Sequence, residues 1–82
     1  MPAYTFSTPP GGILTRQAGA ITGPVELDVP DSGKVRVRYA EAGEWYTVSG
    51  RRGRLSPAQV VALLSSDPGL DDDGNPAPSR LR

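Results

Sequence analysis

Between residues 25 and 39 the chain alternates twice, once against acids and once against bases. In Val25-Glu26-Leu27-Asp28-Val29 the apolar and acidic residues fall on opposite sides of an extended chain. Lys34-Val35-Arg36-Val37-Arg38-Tyr39 repeats the pattern with the opposite charge. Pro30 to Lys34 fits a three-residue hairpin loop, a type I turn followed by Gly33 in the left-handed region. Closing the chain there sets Val29 opposite Val35, Leu27 opposite Val37 and Val25 opposite Tyr39. The same register faces Asp28 with Arg36 and Glu26 with Arg38, and each such cross-strand pair contributes about 0.2–1 kcal/mol. Turn chemistry, apolar period and charge all select one antiparallel pairing.

A second hairpin follows, from Val35–Tyr39 through Glu41-Ala42-Gly43 to Glu44-Trp45-Tyr46-Thr47-Val48. A slip of one residue would invert its faces. The register that buries Tyr46 and Val48 beside Val37 and Tyr39 is preferred, and it leaves Trp45 on the outside. Before the first hairpin, Ile13 to Gln17 and Ala20 to Thr22 are short candidate strands joined by an Ala18-Gly19 turn.

The helix start is strongly signed. Ser56-Pro57-Ala58-Gln59 matches a capping box, with Ser56 as cap, Pro57 at the first helical position and Gln59 reaching back. Leu55 and Val60 occupy the flanking staple positions. Val60, Leu63 and Leu64 share one face, with Val61 at its margin, and Pro68-Gly69 ends the helix near Ser66. The expected fold class is α+β: a three- to four-stranded antiparallel sheet with a helix over residues 57–66 packed on one face. An SH3-like small barrel plus helix, closed by residues 13–22, is the alternative. Expected core positions are Val25, Leu27, Val29, Val35, Val37, Tyr39, Tyr46, Val48, Leu55, Val60, Leu63 and Leu64.

Prolines and glycines concentrate outside this middle section, and Pro9-Pro10-Gly11-Gly12 cannot lie within a regular element. Residues 1–12 are therefore expected as a flexible Pro/Gly-rich tail, 13–66 as the single folded domain, and 67–82 as a disordered acidic, proline-bearing tail. The first twelve residues lack a basic start and an apolar run, which is not the pattern of a secretory signal. No stretch holds the roughly 18 apolar residues that cross a bilayer, so no membrane association is expected.

The 82 residues include no histidine and no cysteine. General acid–base work near neutral pH and thiolate metal sites both lose their usual side chains, and no serine or threonine has an evident base partner. Asp71-Asp72-Asp73-Gly74-Asn75 suggests a calcium loop only superficially. Counted from Asp71, an EF-hand needs glycine sixth and glutamate twelfth, and the chain has Pro76 and Arg82 there. The sequence thus points away from an enzyme and implies no metal or cofactor. Absence of cysteine suits a reducing cytoplasm.

Formal charge is balanced overall but unevenly placed. Lys34, Arg36, Arg38, Arg51, Arg52 and Arg54 stand against only Glu41 and Glu44 in residues 34–54, a local balance of +4. Arg36, Arg38, Arg51, Arg52 and Arg54, with Trp45 beside them, are the candidate contact residues. A protein partner is the leading expectation for that surface, which makes the chain an accessory or regulatory module. The bland reading keeps Arg36 and Arg38 paired across the sheet to Asp28 and Glu26. Nucleic acid is an alternative partner, because a sheet followed by a helix is also how some DNA-binding domains enter the major groove; zero net charge weighs against it. Self-association in a symmetric assembly is the third reading, since a core this small leaves little stability to spare.

Overall fold

A computed structural model describes residues 3–82. Its elements in chain order are β1 (Ala3–Ser7), β2 (Ile13–Thr15), β3 (Gly19–Ile21), β4 (Pro24–Asp28), β5 (Arg36–Tyr39), β6 (Tyr46–Thr47) and α1 (Pro57–Ser65). Strands β1-β4-β5-β6 form a four-stranded antiparallel sheet, and β2-β3 form a separate hairpin. With the single helix this is the expected α+β architecture.

The β4–β5 ladder has the register read from the alternation, with Val25 opposite Tyr39, Glu26 opposite Arg38, Leu27 opposite Val37 and Asp28 opposite Arg36. The ladder ends at Asp28 and Arg36, and in the loop of residues 29–35 that joins them Gly33 takes a positive φ of 95°, a conformation that favours glycine. In the second hairpin Val37 pairs with Tyr46 and Arg36 with Thr47, which turns Tyr46 toward the core and Trp45 away from it. The preferred register holds.

Val25, Leu27, Val29, Val35, Val37 and Val48 form one buried layer, with Val60 and Leu64 of α1 in the same cluster. The capping box is complete: the Ser56 hydroxyl accepts from the Gln59 backbone N–H, and the Gln59 side chain accepts from that of Ser56. Helix α1 lies against β1. Val60 and Leu64, four residues apart, go deepest, while Val61, Leu63, Leu55 and Tyr46 are half-buried at its edge. Tyr39 departs from the expected core and is 41% exposed. Strand β6 starts only at Tyr46, opposite Val37, so no strand flanks Tyr39 on that side.

Hairpin β2–β3 attaches to the far edge of the sheet. The Arg16 N–H donates to the Thr47 carbonyl at 2.9 Å, and the Ser49 N–H to the Leu14 carbonyl at 2.9 Å. This brings Ile13 and Ile21 into the core, two positions the sequence did not single out. No strand pairing joins β3 to β1 among the described residues, so the SH3-like alternative is not formed as a closed barrel.

Both flanking segments take part in the fold, a correction to the expectation of tails. Ala3–Ser7 pairs along β4 in full, with Tyr4 and Phe6 turned to the core. The strand period was present in those five residues, but too few are apolar to outweigh the nearby prolines. Met1 and Pro2 lie outside the described residues. At the other end the chain folds back on itself through a turn at residues 71–74 and runs beside β2. The Leu14 N–H donates to the Ser79 carbonyl and the Ser79 N–H to the Gly12 carbonyl. Leu81 enters the core, and Ser79 is buried with its hydroxyl donating to the Ser66 carbonyl at 2.9 Å. Two glycines make this return path feasible. A Cβ at Gly11 would stand 2.1 Å from the Ala77 carbonyl oxygen, and one at Gly50 would stand 2.2 Å from that of Leu81.

Because Leu64 is fully enclosed and Leu63 is not, the two leucines should respond unequally to truncation. Leu64→Ala is expected to lower stability by about 2–5 kcal/mol and Leu63→Ala by distinctly less. Urea midpoints of the two variants would check the order, and equal losses would mean that the helix docks by a different face.

Candidate functional site

The arginines of the sheet are neutralised where they stand. Arg36 donates to Asp28 at 3.1 Å and Arg38 to Glu26 at 2.7 Å. The Arg38 guanidinium also lies over the Trp45 ring, 4.6 Å from its centroid, and Trp45 is half-buried there. The register that creates the hairpin puts each base directly opposite an acid, so the outer face between β4 and β5 has no surplus charge. This is the bland reading of Arg36 and Arg38. Partly exposed surface pairs of this kind contribute about 0–1 kcal/mol each.

Arg52 has a different role from the one its neighbours suggested. Its side chain is buried, and its guanidinium donates to three backbone carbonyls: Nε to Leu55 at 3.0 Å, Nη1 to Gly33 at 3.2 Å and Nη2 to Asp31 at 3.1 Å. The loop between β4 and β5 is thereby tied to the segment that leads into α1. Arginine suits this position because one rigid fork satisfies several acceptors at once. Arg51 and Arg54 are exposed, and neither makes an ion pair among the described residues.

Arg51 does line a cleft. The cavity has a volume of about 370 Å³ and lies where the end of the β4–β5 loop, the β6–α1 loop and the β2–β3 turn approach one another. Val35, Val48 and Leu81 give it an apolar floor, and Arg16, Lys34, Arg51 and Arg52 supply cationic lining. Among the described residues no acidic side chain lines it. Gly33, Gly50 and Gly53 keep parts of its wall free of side chains. Arg16, Lys34 and Arg51 are exposed, so their charged ends are available to a ligand, whereas Arg52 is committed to the carbonyls behind it.

Of the predicted contact residues, the structure therefore places Arg51 and Arg52 on the cleft, with Arg52 as a support. It places Arg36, Arg38 and Trp45 together on the outer sheet face, and Arg54 outside the cleft lining. Two cleft residues were missing from the sequence-derived set. Arg16 is the only charged side chain in residues 1–25 and Lys34 lies at a hairpin mouth, and no local pattern connects either to Arg51.

The arrangement can hold an anionic group against an apolar surface. Three exposed cations would neutralise carboxylate or phosphate oxygens. Among the described residues no group of three or more His, Cys, Asp or Glu is placed to hold a metal ion, and no helix is long and apolar enough to cross a membrane. No protein-family model, curated protein or solved structure matches the chain.

Replacing Arg52 by alanine would leave three carbonyls without their donor. Arg52→Ala should lower stability by about 2–3 kcal/mol, while Arg51→Ala should stay within about 0.5 kcal/mol of the parent. Urea denaturation would measure both, and an unaffected Arg52→Ala midpoint would remove its supporting role.

Proposed function

We propose that this chain is a non-enzymatic interaction module, accessory or regulatory in role, that docks a protein partner through the cationic cleft. One observation carries the reading: four cations and no acid line a concave surface whose floor is apolar. Isolated surface arginines are ordinary, but three exposed cations converging on one concave surface with no acidic side chain in its lining among the described residues favour an anionic ligand. An acidic protein segment meets that requirement. Cytoplasmic residence belongs to the same proposal and is supported by the absence of cysteine.

Nucleic acid suits this geometry less well. Binding to a phosphate backbone draws on a track of cations that neutralises many phosphates in succession. Here Arg36 and Arg38 are already paired to acids, and Arg16, Lys34 and Arg51 gather around a pocket rather than along a track.

Affinity capture from the native host separates cleft from sheet. Lys34→Glu/Arg51→Glu should lose the captured partner, while Arg36→Gln, altered on the sheet face, should retain it. Retention by the cleft variant, or loss only on the sheet face, would move the contact surface elsewhere.

A further inference from the structure

The chain carries its own complement to the cleft. Leu70 is 69% exposed, the most exposed large apolar side chain among the described residues. It is followed directly by Asp71-Asp72-Asp73. The segment is held as a tight turn: one Asp71 carboxylate oxygen accepts from the N–H groups of Asp73 and Asn75, and the Asp71 N–H donates to the Asn75 carbonyl. The Asp72 and Asp73 carboxylates are exposed and make no ion pair among the described residues. An ordered projection thus presents one leucine and two unspent negative charges.

We infer that the Leu70–Asp73 turn of one molecule docks in the cleft of a second copy of this chain. The inference rests on the cleft reading above and names the partner for it. Charge is complementary, with Asp72 and Asp73 meeting Arg16, Lys34 and Arg51. Leu70, exposed beside these carboxylates, would lose solvent contact on docking. Among the described residues none of the turn lines the cleft of its own chain, so the contact inferred is one between molecules. Ordering of the turn before contact limits the entropy lost on docking. Each copy offers one cleft and one turn, so the contact either closes reciprocally in a pair or propagates head to tail.

Sedimentation equilibrium of the full chain tests this. Wild type, 8.6 kDa as a monomer, should associate at low salt and dissociate as salt rises from about 20 mM to about 500 mM. Arg51→Glu and the double variant Asp72→Arg/Asp73→Arg should each self-associate at least tenfold more weakly. Because each defective variant keeps the half that the other lacks, their equimolar mixture should regain a complex. The altered residues are exposed, and matching urea midpoints would show that folding is intact.

A wild type that stays monomeric up to about 1 mM would overturn the inference. So would association that neither variant weakens, or a mixture that regains nothing. A monomer that still captures a host protein through Lys34 and Arg51 would sink the second-copy partner alone and leave the cleft reading standing. Indifference to cleft charge in both experiments would remove the two together.

Discussion

The pairing of β4 with β5 is the contact on which the other elements depend. Val25 and Leu27 on one strand and Val37 on the other are fully enclosed, and they form the central surface of the four-stranded sheet. On one flank β1 completes its hydrogen bonds through β4, and on the other β6 continues from β5. The buried residues of α1 join the same apolar cluster. A one-residue slip in this ladder would put Leu27 opposite Arg36 or Arg38, so that one strand's apolar set would go to solvent or the other's charges would enter the interior. Burial of an aliphatic side chain of that size is worth about 1.5–3 kcal/mol, so the correct register is set by several such side chains at once.

That register also decides where charge is left over. By matching Glu26 to Arg38 and Asp28 to Arg36, the ladder consumes the basic residues that the chain places on the sheet. The unmatched cations are those in connecting loops, where no opposing strand supplies an acid. Arg52 then organises the loops themselves. Its donors fasten Asp31 and Gly33 of one connection to Leu55 of another, and the cleft lies beside this junction. One arginine therefore supports the wall against which two others are displayed, although Arg51 and Arg52 are neighbours in sequence.

Legibility followed the range of the interactions. The β4–β5 register, the orientation of Tyr46 and Trp45, the capping box and the short β2–β3 hairpin all rest on residues near in sequence, and each could be read from period or turn chemistry. Strand β1 could not, because Tyr4 and Phe6 gain their meaning only from a partner strand some twenty residues further on. The C-terminal return is a still clearer case. Leu81 lies among polar residues and prolines, and it is buried because Gly11 and Gly50 let the backbone come close. The candidate site was half legible: Arg51 was identified, but its companions Arg16 and Lys34 were not, and Arg36 and Arg38 proved to be occupied.

By itself, then, the sequence determined the class of fold, the central register and the limits of the helix, since alternation, turn residues and caps act between neighbours whatever surrounds them. Tertiary structure alone decided which cations remain unpaired, that Arg52 faces inward, and that Arg16, Lys34 and Arg51 share one apolar-floored cleft. The reason is physical. A charge is neutralised or left available by what lies a few ångströms away in space, and for these loop residues that neighbour comes from a distant part of the chain.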